Sequence, residues 1–135
     1  MKIRRETDYA IRAVRALIRA NGNALISKEI AAEEGIPQTY ILTIMGKLKE
    51  AGIVDTINRK GSMRGGYILV ADPYEATIYD IVHAFEGDLK INACLRDQDE
   101  CPNRSTCKVH KEMQRINDAL VNEMKRKSIM EILKP

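Results

Sequence analysis

A mainly α-helical domain carrying one small β-hairpin is the fold class this sequence predicts, and three observations predict it. Apolar residues recur at helical spacing from residue 7 to 52, and again over 77–86 and 109–124. Between these stretches the period changes to two short runs of strand-forming residues, "IVDTINR" and "GYILVA", joined by the glycine-rich tip "KGSMRGG". The 135 residues include no Trp and one Phe, so the core must be aliphatic, and the length fits one compact domain or one plus a short appendage.

The first helix reads "TDYAIRAVRALIRANG", with Thr7 as its expected N-cap and Ala10, Ala13, Val14, Leu17 and Ile18 inward. Arg12, Arg15 and Arg19 share the opposite side, and Gly22 ends the element. A second helix is expected from Ser27 as N-cap to the stop at Gly35, with Ile30 and Ala31 inward. A third follows Pro37, a residue suited to a first helical turn; Ile41, Ile44, Met45 and Leu48 form its apolar face and Gly52 closes it. After the hairpin, Thr77 and Asp80 form a reciprocal capping pair for a helix that turns Ile78, Ile81, Val82 and Phe85 inward. A longer helix is expected from about Val109 to Lys127, with Val109, Met113, Ile116, Leu120 and Met124 along a narrow stripe. Ser128 and Glu131 cap a last short helix. No internal repeat or low-complexity tract interrupts this order.

Three helices followed by a basic hairpin make a winged helix-turn-helix, here continued by a long C-terminal helix. In such an arrangement a short helix, a Gly-containing turn and a second helix at a steep angle offer the latter to a major groove, while the wing lies along phosphates or enters the minor groove. On the third helix Gln38, Thr39, Thr43 and Lys47 fall away from the apolar face and are the candidates for base-edge and phosphate contacts. Arg59, Lys60 and Arg64 are the candidates on the wing. Charge agrees with this placement: residues 1–70 carry 12 Lys/Arg against 7 Asp/Glu, whereas residues 71–135 carry 10 against 12. The competing reading of each such residue is an ordinary solvated helix face, and winged helices also serve as protein-interaction modules.

No apolar run approaches the roughly 20 residues a membrane span needs, and "MKIRRETDY" lacks the apolar stretch of a secretory signal. A cytoplasmic protein with no membrane association is expected, a compartment where clustered cysteines point to metal or redox chemistry rather than stable disulfides.

All three cysteines fall in "INACLRDQDECPNRSTCKVHKEM", spaced Cys94-x6-Cys101-x5-Cys107-x2-His110. Thiolates are soft ligands suited to zinc, copper(I) or iron–sulfur clusters, and three sulfur anions in a short span repel one another unless a cation neutralises them. Structural zinc sites favour tight cysteine pairs, which are absent, while wide gaps and the Pro after Cys101 suit an iron–sulfur cluster. Cys107 lies at the start of the long helix, where the dipole favours thiolate, and His110 shares its face. Free surface thiols are the alternative. Spacing alone leaves zinc and cluster both open. His83, on the Thr77-capped helix, reads as structural or solvated.

These features together resemble the IscR/NsrR-type winged-helix regulators that carry iron–sulfur clusters. The resemblance spans essentially the whole chain and is carried by "TDYAIRAV", "SKEIAAEEGIPQTYILTIMGKLKEAGIV", "GGYILV", "IYDIVHAFEG" and the three cysteines before a long helix. It implies a homodimer joined through the long helices and a 2Fe–2S or 4Fe–4S cluster bound by Cys94, Cys101 and Cys107 with a fourth group. Two residues match that fourth role: His110, in the position used for 2Fe–2S clusters, and Asp8, which corresponds to an aspartate that some nitric-oxide sensors supply from the partner chain to a 4Fe–4S cluster. Two departures stand out. The first cysteine gap is one residue longer than the commonest family spacing, and the wing "RKGSMRGGY" is longer than usual and places Arg64 inside it.

The expected organisation is a DNA-binding winged helix-turn-helix over residues 1–87, a cluster-binding loop over 88–108, and a dimerisation helix with a C-terminal helix over 109–135. The expected function is a transcription regulator, a repressor of double-stranded promoter DNA whose affinity follows cluster supply, redox state or nitric oxide. A zinc- or thiol-based regulator with the same head but no cluster is the alternative. No nucleophile–base pair, phosphate-cradling glycine loop or paired carboxylate setting points to an enzyme.

Overall fold

The computed structural model describes residues 2–92, 95 and 106–134. Its elements are α1 (Arg5–Arg19), α2 (Ser27–Glu34), α3 (Gln38–Glu50), β1 (Val54–Ile57), β2 (Gly66–Leu69), α4 (Ile78–Glu86), α5 (Lys108–Met124) and α6 (Ile129–Leu133). α1 is the central element, packing on α2, α3, α4 and β2. Its inward face is lined with Ala10, Ala13 and Ala16, all fully buried, and small side chains let neighbouring helices approach closely. Val14 and Leu17 of α1, Ile30 of α2, Ile41, Ile44, Met45 and Leu48 of α3, Val54 of β1, and Ile81 and Phe85 of α4 complete an aliphatic core. The chain then returns: Ile129 of α6 enters that core, and its N–H donates to the Ala76 carbonyl at 2.8 Å.

The wing is a two-stranded antiparallel ladder with Val54 opposite Leu69 and Ile57 opposite Gly66. Leu25, in the α1–α2 connection, adds a bridge to Tyr67 through hydrogen bonds of 2.8 and 3.0 Å. That third backbone explains Gly66 at the base of the wing, and the facing arm of the hairpin explains Gly65. A Cβ on Gly66 would lie 2.7 Å from the Leu25 carbonyl oxygen, and one on Gly65 would lie 2.9 Å from the Arg59 nitrogen and the Ile57 oxygen.

Two expected helix starts move. α1 begins at Arg5, with Arg4 at the cap, and Thr7 sits fully buried within the first turn instead of capping it. The start is drawn forward because Arg4 is held elsewhere: its guanidinium donates to the Phe85 carbonyl and its backbone N–H to Glu86 at 3.3 Å. In α2 the cap is Ile26, and Ser27 is already helical. The acid at the third helical position does the capping, since Glu29 Oε1 accepts the Ile26 N–H at 3.0 Å. The pair expected on α4 forms as expected, the Thr77 N–H donating to Asp80 at 2.8 Å. Ser128 likewise accepts the Glu131 N–H at 3.1 Å.

The arginine face of α1 is partly exposed and engages acidic neighbours. Glu34, 7% exposed, receives two bonds from Arg15 Nε at 3.0 and 3.2 Å and a further bond from its terminal nitrogen, with Arg19 at 3.5 Å. The Glu34 carboxylate raises the Arg15 pKa above its ordinary value. This pair clamps α1 to α2, so Arg15 faces a carboxylate rather than a ligand. Among the described residues no helix is long and apolar enough to cross a membrane.

Candidate nucleic-acid interface and cysteine site

The outer face of α3 is set by what its inner face must do. With Ile41, Ile44, Met45 and Leu48 buried, helical geometry turns Gln38, Thr39 and Thr43 to solvent, and all three are exposed. Leu42 lies between them at 65% exposure. Sequence reasoning missed it, although an apolar residue out of phase with the buried set is a readable signal. In a major groove such a side chain suits a thymine methyl. Lys47 is placed differently from the other three. It lies on the flank of α3, its Nζ 2.9 Å from Glu6 Oε1 and 5.6 Å from the Phe85 ring centroid.

On the wing, Arg59 and Lys60 are exposed, and the tip turns through Gly61 by paired backbone bonds between Lys60 and Met63. Arg64 reaches back to Glu29 of α2. The Ile26 N–H, followed by Arg64, holds the Glu29 carboxyl below the usual carboxylate range. Glu29 thus caps α2 and ties the wing to the reading head. Arg64 and Lys47 each have an acidic partner in this state, so a phosphate would have to exchange with a carboxylate to engage either.

Of the candidate cluster ligands, Cys94 and Cys101 lie outside the described residues. Cys107 is the N-cap of α5, partly exposed and a free thiol, with no side-chain capping bond. His110 is one turn further along, also partly exposed. Asp8 sits in the first turns of α1 with its side chain half exposed and paired to Arg12 at 2.8 Å. Among the described residues no three His, Cys, Asp or Glu side chains gather to hold a metal ion. The donor chemistry fits an iron–sulfur cluster nonetheless: a thiol at a helix N-terminus, where backbone N–H groups favour an anionic ligand, with an imidazole a turn away. His83 pairs with Asp88 at 3.0 Å and stacks on Tyr79, as expected of a solvated structural residue.

The Rrf2 family, described as an iron-dependent transcriptional regulator, matches residues 3–135. The chain is 26% identical over 122 residues to the HTH-type transcriptional repressor NsrR of Streptomyces coelicolor, covering 88% of this chain and 79% of that protein. Among solved structures, CymR of B. subtilis, titled the global cysteine regulator, superposes with a TM-score of 0.76 at 25% identity, covering 98% of this chain and 95% of that one. The structure of T. potens IscR superposes with a TM-score of 0.74 at 21% identity, covering 99% and 87%, and shows the shared fold. The relatives are DNA-binding transcription regulators rather than enzymes. Helices, wing and matched length lead to one conclusion: this chain belongs to the Rrf2 family of transcription regulators.

Proposed function

We propose that this protein is a cytoplasmic homodimeric repressor whose affinity for promoter DNA is set by an iron–sulfur cluster bound at Cys94, Cys101 and Cys107, with His110 or Asp8 as fourth ligand. The observation that carries the reading is the position of Cys107 at the N-cap of α5 with His110 one turn on, in a chain of an iron-dependent family. A bound cluster supplies redox- and nitric-oxide-reactive iron and a covalent tie among its ligands. The chain's own residues do the rest. Gln38, Thr39, Thr43 and Leu42 read the major groove, while Lys47, Arg59, Lys60 and Arg64 neutralise phosphates.

Dimerisation through α5 is supported by an apolar stripe that stays partly exposed among the described residues. Val109 is 66% and Ile116 40% exposed, with Met113, Leu120 and Met124 partly so. A second copy would bury that stripe and space two reading heads on successive major grooves. The division at residues 87 and 108 follows the same reading: reading head, ligand segment, dimer helix.

A thiol-based regulator without a cluster is the second reading, favoured by the likeness to the cysteine regulator CymR. Absorbance with iron and sulfide analysis of anaerobically prepared protein separates the two. The cluster reading expects visible absorbance and iron with sulfide bound, and colourless, iron-free protein after reconstitution with ferrous salt and sulfide would end it. For the DNA face, Arg64→Ala is expected to weaken operator binding and to lower the salt dependence of log K by about one unit. Unchanged affinity and slope would remove Arg64 from the interface.

A further inference from the structure

Gly46 stands exposed in the interior of α3, and among the described residues no atom comes within 4 Å of the place its Cβ would take. Glycine weakens a helix interior relative to alanine, because it gives up the most conformational freedom on folding. Neither a crowding neighbour nor a left-handed backbone angle requires it here, so Ala at this position would make the isolated fold more stable. One turn earlier, Leu42 is 65% exposed and out of phase with Ile41, Ile44, Met45 and Leu48, which are buried. A single exposed leucine is ordinary on a protein surface. Beside a glycine that the fold does not need, it carries information.

The helix places these residues together. At about 3.6 residues per turn, Gly46 falls opposite the buried set, at the centre of the outer face. Thr39 lies two turns earlier on the same line, with Leu42 and Thr43 to either side. The middle of this face is therefore bare backbone and short hydroxyls, with one longer apolar arm beside it. No bulky side chain at the centre holds the helix away from a surface it approaches, which is a use of glycine where backbone must come close to a ligand. Leu42 has no donor or acceptor. In a major groove the feature it can select is the C5 methyl of thymine.

We infer that Gly46 lets α3 seat close to the base edges and that Leu42 thereby selects a thymine methyl at one position of each half-site. This inference rests on the DNA face proposed above and deepens it by naming the chemistry of one contact.

The test uses full-length protein to enrich duplexes from a random-sequence library. Each thymine of the enriched duplex is then replaced in turn by deoxyuridine, which removes only the methyl group. At the contacted thymine the replacement is expected to weaken wild-type binding about fourfold, the effect of one methyl group leaving water, and to leave Leu42→Ala binding unchanged. Gly46→Ala is expected to weaken binding to the enriched duplex roughly tenfold, because an added methyl in a close interface forces the surfaces apart. The same variant is expected to raise the urea midpoint by about 0.5 M. Those opposed changes separate an interface role from a structural one, since a glycine required by the fold would lose stability when replaced.

The inference is overturned if no deoxyuridine position weakens wild-type binding more than that of Leu42→Ala, or if Gly46→Ala binds as tightly as wild type. In either case a duplex has still been enriched, and the DNA-binding function stands with its base contacts elsewhere. Should wild-type protein enrich no duplex, the proposed DNA face itself fails and this inference falls with it.

Discussion

Cys107→Ser protein prepared without oxygen is expected to be colourless, with iron and sulfide content reduced at least tenfold, while its helix content and thermal midpoint hold or rise relative to iron-free wild-type protein. The two halves of this expectation have different physical sources. A hydroxyl is a poor ligand for iron in a sulfide-bridged cluster, which proteins hold through soft thiolates. As the N-cap of α5, however, Ser is among the preferred residues, because its oxygen accepts a first-turn N–H that the Cys107 side chain leaves without a capping bond. Ligand loss is thereby separated from helix loss, which Cys107→Ala would confound. Unchanged iron and sulfide in the Ser variant would remove Cys107 from the ligand set. The fourth ligand is resolved by comparing His110→Ala with Asp8→Ala, the latter against an Arg12→Ala control because Asp8 is paired to Arg12.

Arg15→Ala is expected to lower unfolding free energy by about 2–3 kcal/mol, below the usual range for breaking a buried pair because Arg19 retains a contact with Glu34. The loss is mainly the cost of a carboxylate left buried, its side chain 2% exposed, rather than the worth of the bonds removed. For that reason Glu34→Leu, which removes the buried charge itself, is expected to lose less than Arg15→Ala. Urea unfolding at fixed protein concentration checks both. A midpoint for Arg15→Ala indistinguishable from wild type, or a larger loss for Glu34→Leu, would show that the pair is not the clamp between α1 and α2.

How far the sequence could be read depends on the kind of interaction. The buried set of α3 was legible residue by residue, and that of α4 except for Ile78, which stays partly exposed, because helical spacing decides which side chains share a face. Thr77 and Ser128 were legible as caps because their partners lie three residues away. Thr7 and Ser27 were not, because Arg4 and Glu29 took over those helix starts through contacts that local sequence cannot announce. Lys47 and Arg64 illustrate the same limit on the proposed DNA face: both are rightly off the core, yet each is engaged by an acid 41 or 35 residues away.

By itself, then, the sequence determined the helix order, the aliphatic core, the basic wing and the crowding of three thiols ahead of a long helix, since each is a matter of short-range spacing and composition. Only the tertiary structure decided that Glu34 lies under Arg15, that Leu25 joins the wing, and that Asn117 holds the Leu89–Ile91 segment. Those contacts join segments 19 to 42 residues apart. Polar partners at such distances carry no periodic signature, and chain folding alone brings them together.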